Sequence, residues 1–174
     1  MADLVKRPAH RTAVKRARQA DRGPLTEYLA FSLAGDVYAA PVSLVREILK
    51  PPPLTPVPRA PYSALGIVSV RGQLVTVFDL RRKLRVAEPN PSSKTRILLV
   101  ESPHQETLGL WVDQVLQVYR LADAEIEAAT MALGGEIAPY ISGIARPALA
   151  GPPIAGAPDA SVIILLDLVA LLTD

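Results

Sequence analysis

Short runs of alternating apolar and polar residues fill most of the chain from Thr26 onward. In the run Tyr28 to Leu33, the side chains of Leu29, Phe31 and Leu33 fall on every second position and therefore share one face of a strand. Later runs show the same alternation, and residues typical of turns separate them. This pattern predicts a body made mostly of β structure.

Further strands are expected at several places, with turns between them. They cover residues 37–41, 65–70, 74–78, 97–100, 108–112, 115–119, 141–145 and 162–166. Arg71-Gly72-Gln73 is expected to form a tight hairpin, because Gly72 can take the positive φ that such a turn needs. Asp79 is placed to cap a brief helical turn over residues 80–84, and Asp167 precedes a second apolar helical turn that reaches Leu172.

The segment from Val42 to Leu49 has a different periodicity. Val42, Val45, Ile48 and Leu49 recur at helical spacing, which favours a short helix or helical turn. The prolines at 51–53 follow at once, and they lack the backbone N–H donors that a helix or a central strand would use. They predict an extended connection.

The composition agrees with one folded unit that lies outside the membrane. The chain has 174 residues, 49% of them hydrophobic, which is enough for a substantial core. It contains no uncharged apolar run of 18 residues and no apolar stretch that could serve as a secretion signal, so no membrane insertion and a cytoplasmic location are expected. The absence of cysteine excludes disulfides, thiolate zinc sites and cysteine nucleophiles.

Charge is unevenly distributed along the chain. Residues 1–24 contain seven basic residues against only Asp3 and Asp21. A basic segment without aromatic residues cannot bury enough apolar surface to fold, so residues 1–25 are interpreted as a disordered tail. The tail is expected to be a solvated extension, and weak, salt-sensitive binding to nucleic acid, an acidic partner or anionic lipid is the alternative.

The sequence offers little for catalysis. His10 lies in the tail, and His104 lies in a predicted turn without a spaced partner. Glu125 and Glu127 flank Ile126 in what reads as a solvated connection. No phosphate-binding loop, dinucleotide motif or metal-ligand cluster occurs, so neither an enzymatic activity nor a cofactor is expected.

Several fragments, in the right order, resemble the CheW-like domain family from about Tyr28 to Leu172. The most specific fragment runs from Gly66 to Arg81 and reads GIVSVRGQLVTVFDLR, close to the family pattern G-x-(V/I)-N-(L/I)-R-G-x-(V/I)-x-P-(V/I)-(I/V)-D-L-R. Supporting fragments are Phe31 to Ala40, Val45 to Ile48, Pro56 to Pro58, Gly109 to Val115, Tyr140 to Ile144 and Val162 to Asp167. The chain departs from the pattern at Ser69 and Thr76, and in a long insertion from Ala148 to Asp159.

The resemblance implies a mostly β fold of two SH3-like five-stranded barrels that share an apolar core. On this basis residues 26–174 form one CheW-like domain. The first lobe is expected at about 26–90 and the second at about 95–174, with a C-terminal segment that can pack across both.

The resemblance also implies a function without chemistry. Family members couple chemoreceptors, the methyl-accepting proteins, to a CheA-type histidine kinase in a signalling array. They bind the regulatory domain of the kinase and the cytoplasmic tip of the receptor. The chain is therefore expected to be a cytoplasmic scaffold recruited to receptor arrays. The first alternative is a divergent adaptor that keeps one interface and binds nucleic acid or another acidic partner through its tail. The second, far behind, is a small hydrolase of unrecognised type in which His104 would be the base.

Three residues match family positions near the receptor contact. Arg71 matches the arginine at the hairpin tip, where a planar guanidinium suits carboxylates or helix-end carbonyls. Val45 and Glu47 match positions beside the same groove. They would share a face if their segment is extended, whereas in a helix Val45 and Ile48 would share the buried side.

The other candidate residues have structural interpretations. Gly66 and Gly72 are expected to serve the hairpin backbone, and Asp79 and Arg81 to cap and brace a turn. Trp111 lies in an apolar strand, where a core position is the first interpretation. As part of an exposed patch it would instead be a docking anchor.

Overall fold

The computed structural model describes residues 23–87, 91–129, 139–147 and 161–173. Within these ranges the chain forms eleven strands in two sheets. None of the described helices is long and apolar enough to cross a membrane. The basic tail before Gly23 and the insertion from Ala148 to Asp159 lie outside the described residues.

The strands and helices follow one another in a simple order. The strands are β1 (Leu25–Leu33), β2 (Asp36–Pro41), β3 (Val45–Leu49), β4 (Ala64–Val70), β5 (Gln73–Asp79), β6 (Arg96–Glu101), β7 (Thr107–Val112), β8 (Gln114–Ala122), β9 (Ile126–Ala128), β10 (Ile141–Ala145) and β11 (Ile163–Leu166). Helix α1 spans Leu80–Leu84 and helix α2 spans Leu168–Thr173, with 3-10 turns at Val42–Leu44 and Asp123–Glu125.

Each sheet belongs to one lobe of the molecule. The sheet of the first lobe has six strands in the order β8-β1-β2-β11-β10-β9, and that of the second lobe has five in the order β3-β6-β7-β5-β4. Most neighbours are antiparallel, but β2 pairs with β11 and β5 pairs with β7 in parallel.

The expected lobe boundary near residue 90 does not match these sheets. The first lobe combines residues 25–41 with residues 114–166, and the second lobe is formed by the continuous segment 45–112 between them. The second lobe is thus an insertion in the first. The sequence predicted two consecutive lobes instead, because local patterns do not encode which distant strands pair.

Both sheets curl round an apolar interior of their own. In the second lobe, Leu49 on one edge strand and Val68 on the other contact the same cluster, which also contains Val77 and Ile97. In the first lobe, Tyr119 on β8 and Ile126 on β9 likewise meet in one cluster. Edge strands can share a cluster only if the sheet bends back on itself. The expected fold of two β lobes is therefore confirmed, with six strands rather than five in the first.

A third cluster fills the space between the lobes. Leu29, Phe31 and Leu33 all belong to it, so the predicted shared face of β1 is confirmed. The second lobe and the two helices contribute Leu80, Leu98, Val100, Leu110, Val112, Leu168 and Leu171. Phe31 is fully buried there, and its neighbour Ala30 faces the first-lobe interior instead. Strand β1 therefore separates two apolar cores, one on each face.

The helix predicted over residues 42–49 is only partly present. A 3-10 turn covers Val42–Leu44, but Val45–Leu49 is a strand that pairs with β6. The spacing of apolar residues over only eight positions does not distinguish a helix from a strand in which both faces are partly buried. The pairing with β6 decided the conformation in favour of the strand.

The remaining local predictions can be compared directly with the structure. The proline segment 51–53 has no helix or strand, as expected, and Asp79 caps a helix over the predicted residues. Sequence reasoning missed β9, where Glu127 forms an ion pair with Arg146 at 3.3 Å. Glu125 accepts a hydrogen bond from the Ala122 backbone N–H at 2.9 Å and closes the preceding 3-10 turn.

Candidate docking surface at the β4–β5 hairpin

The tip of the β4–β5 hairpin presents Arg71 to solvent. Val70 pairs with Gln73, so Arg71 and Gly72 are the two turn residues. Both have positive φ, 49° and 81°, which is the requirement of a type I′ turn. Gly72 was expected to adopt this conformation, whereas Arg71 adopts it although it carries a side chain. The Arg71 side chain is 79% exposed as a result of its place at the tip.

Arg71 forms an ion pair with Glu47 on β3. Its Nη2 atom lies 3.0 Å from both carboxylate oxygens of Glu47. The pair brings together two of the three residues that the resemblance assigned to the receptor contact. An exposed pair of this kind contributes at most about 1 kcal/mol to stability. Its charge is therefore available for a partner at little cost to the fold.

Val45 does not share a face with Glu47. The segment is extended, which was the condition for a common face, but a register shift separates the two residues. Val45 pairs with Val100 and packs against the core between the lobes, whereas Glu47 pairs with Leu99 of the second-lobe interior. Neighbouring residues of β6 point to opposite faces, so their partners do too. The expectation of a common face was wrong because of this bulge at Arg46.

Two exposed aliphatic side chains lie close to the charged pair in sequence. Leu74 follows the hairpin tip and is 73% exposed, and Ile48 follows Glu47 and is 43% exposed. Each adjoins a residue that faces the second-lobe interior, Val75 and Leu49 respectively, so each points outward. Ile48 alternates with Glu47 along β3 and so lies on the opposite face of that strand, whereas Leu74 adds exposed apolar surface next to the hairpin tip, as is common at protein-binding surfaces. Sequence reasoning did not select either residue.

Gly66 has a structural role in the same hairpin. Its φ is 151°, and a Cβ atom placed on it would lie 2.5 Å from the carbonyl oxygen of Thr55. Thr55 and Ile67 exchange two backbone hydrogen bonds, of 2.9 and 2.8 Å. Gly66 therefore lets the proline-rich connection lie directly against β4.

Trp111 lies in β7 and is half-buried against the second-lobe cluster. Its Nε1 atom is buried and has no hydrogen-bond partner among the described residues. This placement favours the core interpretation over an exposed docking anchor.

A buried ion-pair network lies at the opposite end of the hairpin. The Arg81 side chain is 4% exposed and donates to both carboxylate oxygens of Asp79, at 3.0 and 2.9 Å. Asp79 also accepts from the Arg81 backbone N–H at 2.9 Å and so caps α1. The expected capping and bracing role of both residues is present in the structure.

The network extends across the two lobes through Asp113. Arg81 Nη1 lies 3.1 Å from Asp113 Oδ1, and Asp113 Oδ2 accepts from the Ala34 backbone N–H at 2.8 Å. The Asp113 backbone N–H donates to the Ser32 carbonyl at 3.1 Å. Helix α1 of the second lobe is thereby joined to the β1–β2 turn of the first. Sequence reasoning missed Asp113, although it lies in one of the fragments that resemble the family.

The described residues do not form a site of the kind that binds a metal. No group of three or more His, Cys, Asp or Glu side chains suitable for an ion occurs in the part of the chain that the structure describes. His104 lies in an exposed turn, where its backbone N–H donates to Ser102 Oγ at 3.3 Å.

Comparison with known proteins gives a consistent result. A family model described as the CheW-like domain matches residues 27–174. The chemotaxis protein CheW of Helicobacter pylori is 26% identical over 111 residues, which cover 64% of this chain and 67% of that protein. Protein FrzA of Myxococcus xanthus is 32% identical over 126 residues, which cover 72% of this chain and 77% of that protein.

A solved structure agrees with the sequence matches. The crystal structure of the scaffolding protein TtCheW from Thermoanaerobacter tengcongensis superposes with a TM-score of 0.71 at 26% identity. The superposition covers 84% of this chain and 92% of that one. The fold of the chain therefore matches that of a known scaffolding protein.

Proposed function

The chain belongs to the CheW-like domain family, and on that premise we propose that it couples chemoreceptors to a CheA-type histidine kinase. The family and the scaffolding protein of matching structure identify it as a chemotaxis scaffold and not as an enzyme. The proposed place of action is the cytoplasm, at receptor arrays. The finding that supports this most is the family match over residues 27–174.

The Arg71–Glu47 pair is the proposed receptor contact. Arg71 is held at a tight turn, so its guanidinium can approach a partner without ordering a flexible segment. Leu74, which follows the hairpin tip and is 73% exposed, would add apolar surface near the charge. A receptor tip offers helix-end carbonyls and side-chain carboxylates, both of which suit the donor fork of arginine. Val45 would act indirectly, by fixing β3 against the core between the lobes.

The kinase contact is proposed to use a different surface from the receptor contact. A scaffold can affect kinase output only if both partners bind at once and if their contacts differ between signalling states. The rigid connection of the lobes through Arg81 and Asp113 supports such a role, because it fixes the relative position of two surfaces.

Co-sedimentation with receptor-bearing membranes tests this function. The protein is mixed with membranes that carry a receptor from its own cell, with and without the kinase, and the pelleted fraction is measured. We expect wild-type protein to pellet with the receptor and to bring the kinase with it. Arg71→Asp should reduce receptor binding about tenfold or more, because the charge at the contact is reversed.

Arg120→Asp provides a matched control on the first lobe. Arg120 is 67% exposed and forms a 2.8 Å ion pair with Glu27, so it resembles Arg71 in exposure and pairing. It should leave receptor binding unchanged. Failure of wild-type protein to bind either partner would refute the proposal, and retention of one partner alone would support the divergent adaptor. An unfolded Arg71→Asp protein would show that Arg71 is structural instead.

A further inference from the structure

A cleft of about 600 Å³ lies between the lobes, at the far end of the β4–β5 hairpin from Arg71. The second lobe lines it with Tyr62, Ser63, the α1 residues from Arg82 to Leu84, and Arg85, which follows that helix. The first lobe lines it with Pro139 and Tyr140, which come just before β10. The volume falls in the range of clefts that bind small ligands or short peptide segments.

The cleft is strongly basic. Arg82, Lys83 and Arg85 line it, and none of the described residues that line it carries a carboxylate. The carboxylate of Asp79 lies 3.8 Å from Arg82 Nε, but Asp79 is 1% exposed and already accepts three hydrogen bonds from Arg81. It therefore offsets the charge of the cleft only in part. Cations that converge on a concave surface raise the local concentration of anionic groups.

The wall of the cleft combines these charges with aromatic surface. The Arg82 guanidinium lies 4.7 Å from the centre of the Tyr62 ring, and its Nη1 atom donates to the Tyr62 carbonyl at 3.2 Å. The Tyr62 side chain is nevertheless 72% exposed. On the other wall, the Tyr140 carbonyl accepts from the Asp167 backbone N–H at 2.8 Å. The charged and aromatic groups are thus held in place before any ligand arrives, which lowers the entropic cost of binding.

We propose that this cleft binds an acidic linear segment of a partner protein. Carboxylate side chains of the segment would pair with Arg82, Lys83 and Arg85, and an adjacent apolar or aromatic side chain would lie against Tyr62. The charge of the lining residues argues for an acidic occupant, and the exposed ring argues for a peptide over a free ion.

The site is separate from the proposed receptor contact and goes beyond the proposed function. The seven residues of β4 lie between the cleft and Arg71, a separation of roughly 20 Å at the rise of a strand. Both surfaces can therefore be occupied together. Because residues of both lobes line the cleft, a bound segment would also contact both lobes.

Fluorescence anisotropy with a synthetic peptide tests the proposal on the full chain. The probe is a short fluorescein-labelled peptide in which glutamate and aspartate flank one tryptophan, and its neutral counterpart carries glutamine and asparagine instead. We expect saturable binding of the acidic peptide only. The double variant Lys83→Glu/Arg85→Glu should weaken it by about tenfold or more, because two attractive charges become repulsive.

A double variant with the same charge change provides the control. Lys50 and Arg59 are exposed and do not line the cleft, and Arg59 shares with Arg85 a positive φ, 61° against 56°. Lys50→Glu/Arg59→Glu should weaken binding less than about twofold, because salt screens the electrostatic effect of charges that lie outside the cleft. Equal loss in both double variants would show unspecific attraction to a basic surface and would overturn the proposal.

Three further measurements separate the remaining outcomes. Tyr62→Ala should lower affinity without a change in charge, and an unchanged affinity would overturn the role of the ring. Complete displacement of the peptide by inorganic phosphate at matched ionic strength would identify a small-anion site and overturn the peptide assignment. Arg71→Asp should leave peptide binding intact even if receptor binding is lost, so the two proposals can fail independently.

Discussion

The two lobes have similar cores, but one is formed by a continuous segment of the chain and the other by two separate segments. The second lobe is formed by one continuous segment, residues 45–112, whereas the first is formed by residues 25–41 and 114–166. The first lobe is completed by the parallel pairing of β2 with β11, in which Tyr38 meets Ile164. Pairing across such a distance in sequence pays a larger loop-closure entropy than pairing within the second lobe.

Because of this difference, we expect the second lobe to fold more independently than the first. Its strands can pair before the ends of the chain meet, while the first lobe needs the second to hold β2 and β8 near each other. The shared core and the Arg81–Asp113 network then join them into one body. The variants below test this relation.

The largest effect is expected where the two lobes are joined by charge. Arg81→Met would leave the buried Asp79 carboxylate without its cation, which costs about 3–5 kcal/mol in the free energy of unfolding. Arg82→Met is the control, because Arg82 is more exposed and lies 3.8 Å from the same carboxylate, and it should cost about 1 kcal/mol or less. Urea denaturation measures both. Equal losses would contradict the assignment of Arg81 as the main partner.

A comparable loss is expected from the apolar core between the lobes. Phe31→Ala removes a fully buried ring and should cost about 3–5 kcal/mol. Leu74→Ala, at a side chain that is 73% exposed, should change stability by less than about 0.5 kcal/mol. Thermal unfolding compares the two, and a melting temperature almost unchanged by Phe31→Ala would contradict the placement of Phe31 in the core.

A matched pair of leucines tests whether one lobe depends on the other. Leu99 is buried in the second-lobe cluster and Leu165 in the first-lobe cluster, and each change to alanine should cost about 2–5 kcal/mol. Native-state hydrogen exchange should show that Leu165→Ala loosens the first lobe alone. Leu99→Ala should loosen both lobes, because the first lobe loses the folded insertion that shortens its loop. The same exchange pattern in both variants would mean that the lobes unfold only together.

The smallest effect is expected at two glycines where backbones come close. A Cβ atom on Gly66 would lie 2.5 Å from the Thr55 carbonyl at a φ of 151°, and one on Gly143 would lie 2.9 Å from the Glu127 carbonyl. Gly66→Ala should cost about 1–3 kcal/mol, because strain adds to the clash. Gly143→Ala should cost less, as its backbone needs no unusual φ. Chemical denaturation measures the loss of stability in each variant. A larger loss for Gly143→Ala would show that the segment around Thr55 can move away from β4 at little cost.

Part of the site was predictable from sequence and part was not. The place of Arg71 at a hairpin tip follows from Gly72 and from the alternating runs on either side, which are local signals. The partnership of Arg71 with Glu47 does not follow, because the two residues come from β4–β5 and β3, which do not pair with each other. The exposed Leu74 and Ile48 were also unpredictable, since an apolar residue in a strand is normally assigned to a core.

The sequence by itself determined the β class, most strand positions, the cap of α1 and the family. These features depend on alternation, turn residues and short motifs, which act over a few residues. Only the tertiary structure decided the grouping of strands into lobes, the strand at Val45–Leu49 with its bulge, the contact of Arg81 with Asp113, and the basic cleft between the lobes. Each of these depends on which distant segments meet, and that choice is set by burial and pairing over the whole chain.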